Sequence, residues 1–277
     1  MTRSDWEDWL PNAIDEADPE TVSLWYLGCN GFAIKGSDGT TLWIDPYVGT
    51  GDPPRTIRMI PVPFDPEDVS SADAVLATHE HTDHTHGPSQ GPILASTGAD
   101  FYAPDDSLAV ALEENSWPDA YGLNRAQFHE VEAGDRIEIG EFDIDVVETH
   151  DPDSTHPVGY VIEHEAGTIF HGGDTKPTDA FEPIGQEYDI DVGILAFGTV
   201  GMIPDKRTRE PKRTKWYNTE TEVVRAANQL RVDRLIPTHW DMWKGLTADP
   251  TVLHHHAASF QYPERLEIVT IGDRVVL

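Results

Sequence analysis

The stretch "ATHEHTDHTHG", Ala77 to Gly87, gathers four histidines and two acids into eleven residues directly after the apolar run "ADAVL". A histidine-rich polar loop and a metal site both fit such a composition. The spacing favours the metal site. His79 and His81 are two apart, so on extended or turn backbone both rings can face one side while Asp83 and His84 face the other. Imidazole mixed with carboxylate is a donor set that divalent ions accept. Three further strand ends add donors: "VVETHD" brings His150, "FHGGDT" brings Asp174 and "IPTHWD" brings His239. The candidate set is then His79, His81, Asp83, His84, His150, Asp174 and His239. His156, six residues beyond His150, competes for the same role. His150 is preferred because it ends a strand as the other ligands do.

Outward from this stretch the chain alternates short β-rich runs with helices. "VSLWYLG", "FAIKG" and "TLWIDP" read as an antiparallel meander, with "SDGT" as a hairpin turn. "ADAVLATH" reads as a buried strand, "SLAVALEEN" as a helix and "RIEIGEFDIDVVETH" as a hairpin around Gly140. A second half repeats the theme with the hairpin "GYVIEHEAGTIFHGGDT" and the buried strand "DIDVGILAFG". The helix "TETEVVRAANQL" opens on Thr219 with Glu222 at the capping-box position. "VDRLIPTHW", a helix near "TVLHHHAASF" and the strands "LEIVTI" and "RVVL" follow. Neither a repeat of solenoid period nor a Gly/Ser tract divides the chain, so residues 1–277 are read as one α/β domain of two sheets flanked by helices.

Composition narrows the function classes. Lys and Arg number 19 against 50 Asp and Glu, a net charge of −31, which argues against a nucleic-acid partner. Such a surface repels itself in dilute buffer, whereas in molar salt the Debye length falls to about 3 Å. The charge therefore predicts a halophilic protein of a salt-filled, haloarchaeal type of cytoplasm. No window approaches the roughly 20 apolar residues that cross a bilayer, so no membrane partner is expected. The start "MTRSDWEDWLPNAIDEAD" lacks the apolar core of a secretory signal, and one cysteine, Cys29, cannot form an internal disulfide. Both point to the cytoplasm. A homo-oligomer is left open.

The motifs "HEHTDH", a later strand-end histidine, "GGDT" and a final "THWD" resemble the metallo-β-lactamase superfamily. More narrowly, "WYLGCNGFAIKGSDGTTLWIDPYVGTGDP", "ADAVLATHEHTDH", "GTIFHGGDTKPTDAF" and "IPTHWDMWKGLTADP" resemble its L-ascorbate 6-phosphate lactonase-like branch, from about Trp9 to Pro250. The resemblance implies an αββα sandwich holding two divalent ions, zinc or manganese, with iron as a third candidate. It implies that His79, His81 and His150 hold one ion, that Asp83, His84 and His239 hold the other, and that Asp174 bridges them. Asp83 and Asp174 would be the catalytic carboxylates. The chain departs from the lactonase branch at His150, where that branch lacks a clear histidine. Two ions sharing a water would supply hydroxide near neutral pH and polarise a carbonyl or phosphoryl oxygen, hence hydrolysis.

Asp45 in "WIDP" resembles the family's strand-end aspartate that orients a ligand; a turn-forming Asp-Pro is the plain alternative. Asp241 and Trp243 could close a wall of the site or simply pack under its last loop. His86 and His171 sit beside candidate ligands and read as histidines that support them or lie in loops, the histidines of "LHHHAASF" as a solvated helix face, and Cys29 as a small buried residue rather than a nucleophile. The run "PDKRTREPKRTK" concentrates Lys206, Arg207, Arg209, Lys212, Arg213 and Lys215, six of the 19 basic residues. It reads either as a lid that receives an anionic group or as a contact with acidic surface. The sum is a dinuclear hydrolase acting on a small anionic ester or lactone. A phosphodiesterase is the first alternative and a di-iron oxidoreductase the second.

Overall fold

The computed structural model describes residues 3–277. One seven-stranded sheet has the order β16-β1-β2-β3-β4-β5-β6. Its strands are β1 (Ser23–Gly28), β2 (Gly31–Lys35), β3 (Thr41–Ile44), β4 (Ala74–Leu76), β5 (Asp100–Ala103), β6 (Phe128–Glu130) and the C-terminal β16 (Arg274–Val276). A second seven-stranded sheet has the order β15-β14-β11-β10-β9-β8-β7. It is built from β7 (Arg136–Ile139), β8 (Phe142–Glu148), β9 (Val158–His164), β10 (Gly167–His171), β11 (Val192–Ala196), β14 (Arg234–Thr238) and β15 (Arg265–Leu266). A separate hairpin joins β12 (Gly201–Pro204) to β13 (Pro211–Thr214).

The two sheets face each other because their strands carry apolar residues with period two. Leu24 and Tyr26 of β1 and Phe32 and Ile34 of β2 enter the layer between the sheets, where they meet Phe142, Ile144, Tyr160, Ile162 and Ile194. The intervening Trp25, Leu27 and Ala33 point outward into a second apolar layer with Leu10, Ile93, Leu94 and Trp117. Those four side chains come from α1 (Trp9–Asp15), α2 (Gly87–Thr97) and α4 (Trp117–Tyr121), with α3 (Asp105–Ala109) alongside. On the far side α5 (Phe181–Glu187), α6 (Glu220–Gln229) and α7 (Leu253–Ala257) cover the second sheet through Phe181, Val223, Ala227 and Leu253. The layers are α, β, β, α, as expected.

The local readings hold where the signal is local. Thr219 and Glu222 form the capping box that opens α6, and the turn at "SDGT" is closed by the Asp38 carboxylate, which accepts from Thr40 N at 2.7 Å. One reading needs correction: of "LEIVTI" only Leu266 lies in a described strand, β15, which pairs with β14. The closing "RVVL" is a strand as expected, β16, and it pairs antiparallel with β1 of the first sheet. That return is a long-range pairing with no local sign in the sequence. Among the described residues no helix is long and apolar enough to cross a membrane.

Candidate metal centre

Parallel pairing decides where the polar groups collect. β3 runs parallel to β4, and β10 to β11 to β14, so the C-terminal ends of these strands lie on one edge of the sandwich. Asp45 follows β3, Thr78 to His84 follow β4, Asp174 follows β10 and His239 follows β14. β8 runs antiparallel to β9, and β9 to β10, so β8 delivers Asp151 to the same edge. The β1–β2 turn adds Cys29, whose carbonyl accepts from His239 N at 2.9 Å.

His79 Nε2 and His81 Nδ1 lie 2.9 Å apart, and Asp151 Oδ2 stands 3.8 Å from the first and 3.5 Å from the second. On the other side His84 Nε2 is 3.3 Å from His239 Nε2. Asp174 spans the two, with Oδ2 at 3.4 Å from His84 and Oδ1 at 3.2 Å from His239. Asp83 Oδ2 lies 3.9 Å from His239 Nε2 and accepts from Trp243 Nε1 at 3.2 Å. The Tyr217 ring stacks on His239 with centroids 4.3 Å apart. Three donor triads result: His79, His81 and Asp151; His79, His84 and Asp174; and Cys29, Asp83 and His239.

Asp45 explains how this crowd is held. Fully buried, it accepts from Thr78 N at 2.9 Å and Thr78 Oγ1 at 2.7 Å, and it pairs with His84 Nδ1 at 2.7 Å. With Nδ1 committed, His84 presents Nε2 to the centre. Gly173 makes the other approach possible: its φ is +56°, and a Cβ there would sit 2.7 Å from Thr78 Oγ1.

The electrostatics describe a site made for cations. Burial alone would push the Asp174 carboxyl up, but the His239 and His84 imidazoles hold it well below the usual carboxylate range. Burial would push His84 down, yet the Asp174 and Asp45 carboxylates hold it well above 6.5. Burial, with His84 beside it, drives His79 well below 6.5. Asp151 is pushed up by burial and then by Asp174. Asp174 Oδ1 is buried with no hydrogen-bond partner among the described residues, and the imidazole nitrogens and carboxylate oxygens gathered around it are the kind of donors that divalent ions accept. The donor set therefore fits divalent ions.

Six of the seven expected donors converge: His79, His81, Asp83, His84, Asp174 and His239. His150 does not. Its side chain is exposed, while its backbone N–H donates to Thr175 Oγ1 at 3.0 Å and its carbonyl accepts from Lys176 N at 2.6 Å. The chain turns inward one residue later, and the buried Asp151 carboxylate takes the place expected of a histidine. His156 is exposed as well and lies 2.8 Å from both Asp105 and Asp106 through Nδ1. Asp241 makes no hydrogen bond to a clustered side chain among the described residues, and its buried Oδ1 lacks a partner. Trp243 lines the cavity and donates to Asp83, whereas Asp241 is not among the lining residues. His86 bonds Ser89 Oγ at 2.6 Å, and His171 Nε2 lies 2.9 Å from Asn30 O; neither joins a donor triad. His254 and His255 are solvent-exposed. Sequence reasoning missed Asp151 and Cys29. "ETHD" did carry a carboxylate at the same strand end, but Cys29 is far from the other donors along the chain.

A cavity of about 920 Å³ opens onto the centre and is lined by His81, Asp83, Asp151 and Asp174. The β12–β13 hairpin and the residue after it also line the cavity, supplying Lys206, Lys212, Arg213 and Lys215, with Arg55 and Trp216. Arg207 and Arg209 do not line it. They lie at the hairpin tip, where Arg209 reaches Asp52 at 3.6 Å and the Arg207 N–H donates to Asp205 at 3.0 Å. Lys215 is tied to Glu222 at 2.6 Å. Lys206, Lys212 and Arg213 make no ion pair among the described residues.

Residues 40–240 match the family described as beta-lactamase superfamily domain, and the chain belongs to that family, with the metallo-β-lactamase fold of its metal-dependent hydrolases. A probable L-ascorbate-6-phosphate lactonase of Salmonella gallinarum is 24% identical, the alignment spanning 90% of this chain and 78% of the relative. Igni18, a novel metallo hydrolase from the archaeon Ignicoccus hospitalis, superposes with a TM-score of 0.66 at 20% identity, covering 92% of this chain and 97% of its own. CmlA, a diiron beta-hydroxylase from Streptomyces venezuelae, gives 0.66 at 14% identity over 95% of this chain and 55% of its own.

Proposed function

We propose that this hydrolase is dinuclear and acts on a small anionic ester or lactone. The observation that carries the reading is one cavity lined both by His81, Asp83, Asp151 and Asp174 of the cluster and by Lys206, Lys212 and Arg213. The first ion would be held by His79, His81 and Asp151 and the second by Asp83, His84 and His239, with Asp174 between them. Such ions supply activation of water and polarisation of the attacked carbonyl or phosphoryl group. The chain's own part is positional. Asp45 orients His84, Trp243 orients Asp83, and Lys212 and Arg213 receive an anionic group of the substrate through charge-assisted hydrogen bonds. The relative named as a lactonase supports a lactone over a phosphodiester.

The test is a panel of lactones, esters and phosphodiesters in molar KCl with the metal-loaded protein. Charge-assisted bonds of about 1.5–3 kcal/mol correspond to roughly tenfold or more each, so Lys212→Gln and Arg213→Gln should each raise KM for anionic substrates by about that factor. Arg207→Gln should change little. Equal weakening of neutral and anionic substrates would remove the hairpin from substrate recognition. A second reading has one observation in its favour: Asp151 in place of a histidine makes the centre richer in carboxylate, as di-iron oxidation chemistry prefers. Oxygen consumption by the iron-loaded protein, with no hydrolysis of the panel, would select it.

A further inference from the structure

The same centre contains one sulfur. Cys29 Sγ lies 3.5 Å from His239 Nε2 and 3.8 Å from Asp83 Oδ2, and those two atoms are 3.9 Å apart. A tetrahedral zinc with bonds of about 2.3 Å to sulfur and about 2.0–2.2 Å to nitrogen and oxygen spaces its donors roughly 3.3–3.6 Å apart. The observed triangle is that of one tetrahedral face, slightly open. A second feature points at the same spot: buried Asp174 Oδ1, without a hydrogen-bond partner among the described residues, lies 3.2 Å from His239 Nε2.

The backbone treats Cys29 as placed rather than incidental. It has φ +61°, a conformation that a residue with a Cβ adopts rarely. Its carbonyl accepts from His239 N at 2.9 Å and from Tyr26 Oη at 3.0 Å, which fixes the turn to the end of β14. Its side chain is fully buried and faces the acidic and imidazole groups rather than an apolar layer alone.

We propose that Cys29 is a metal ligand: its thiolate, with Asp83 and His239, completes the second ion's coordination. The thiol proton leaves to solvent as the sulfur–metal bond forms. A thiolate is a soft donor, so this position would bind zinc in preference to manganese, while the first position, with two imidazoles and a carboxylate, would be less selective. The inference rests on the dinuclear reading above and goes beyond it.

The experiment uses the full-length wild-type protein, loaded with zinc and examined by X-ray absorption at the zinc edge. The chain has a single cysteine, so a sulfur scatterer at about 2.3 Å can only be Cys29 thiolate or a methionine thioether. Loading with cobalt separates these, because only a thiolate gives the intense near-ultraviolet sulfur-to-cobalt charge-transfer band. The expected result is a sulfur shell corresponding to one of two zincs, and a cobalt band that disappears in Cys29→Ser while the six-donor cluster still binds metal. Zinc bound with nitrogen and oxygen neighbours only would overturn the thiolate and leave the dinuclear reading standing. Fewer than two ions bound would overturn the dinuclear reading, and the sulfur shell of the ion that is bound would still decide the thiolate. If Cys29→Ser does not fold, the wild-type zinc and cobalt spectra decide alone.

Discussion

Replacing Asp45 tests the idea that a buried carboxylate outside the donor set governs metal binding. Asp45 is 0% exposed and serves three groups: Thr78 N at 2.9 Å, Thr78 Oγ1 at 2.7 Å and His84 Nδ1 at 2.7 Å. In Asp45→Ala these buried donors lose their acceptor, and at about 1–3 kcal/mol for each unsatisfied group the cost reaches several kcal/mol, a large part of ordinary stability. Asp45→Asn is the sharper probe. Its oxygen can still accept from one donor, but its NH2 then faces a second donor, so the His84 tautomer or the Thr78 contact is lost, not both. Loss of such a supporting partner typically lowers metal affinity 10–100-fold. Chelator competition should show this for Asp45→Asn, and melting of the metal-free protein should fall by about 2–4 °C per kcal/mol lost. Wild-type metal affinity in an Asp45→Asn protein whose melting temperature has fallen would show that Asp45 is merely a structural turn residue.

Asp151→Ala should lose one of the two ions measured by elemental analysis, while His150→Ala should keep both; the reverse result would restore His150 to the centre. Asp174→Ala should abolish turnover and release metal from both positions, since its carboxylate stands within donor reach of His79, a donor to the first ion, and of His84 and His239, donors to the second. The melting temperature should rise from dilute buffer to molar KCl, because a net charge of −31 is then screened; a curve flat in KCl would remove the halophilic reading. At low salt His156 should titrate above 6.5, raised by hydrogen bonding and attraction to Asp105 and then Asp106. Because the folded value is the higher one, this pairing stabilises fully below pH 6.5 and fades as pH rises through the raised value. An NMR midpoint at or below 6.5 in the wild type, or one unchanged in Asp105→Asn/Asp106→Asn, would exclude the pairing.

What was legible in the sequence was what short-range chemistry decides. The period-two runs of β1 and β2, the hairpin around Gly140 and the Thr219–Glu222 box need only neighbours in the chain. Four donors within "HEHTDH" were readable for the same reason, and Asp174 and His239 followed from their strand ends. The misses are tertiary. Whether His150 or Asp151 faces inward depends on the loop after β8, which is tied to Thr175 and Lys176 of another strand end. Arg207 and Arg209 share the charge of Lys212 and Arg213, yet the hairpin register puts the first two at the tip and the last two on the cavity wall.

Three residues of the site share an unusual backbone conformation. Among the described residues seven non-glycine positions have positive φ, and Cys29, Asp45 and His239 are three of them. Each such position costs of order 1–3 kcal/mol and persists only where surrounding contacts impose it. Here they do: Asp45 N donates to Leu76 O at 2.9 Å, and His239 N donates to Cys29 O at the same distance, so two strand ends and a turn lock one another. Glycine or asparagine would satisfy these turns with less strain. A thiol, a carboxylate and an imidazole stand there instead, and each has contacts that hold it. Asp45 contacts His84 at 2.7 Å. His239 contacts Asp174 at 3.2 Å, and the Cys29 carbonyl ties its turn to the end of β14 while its sulfur lies 3.5 Å from His239 Nε2, the contact that the zinc and cobalt spectra interrogate.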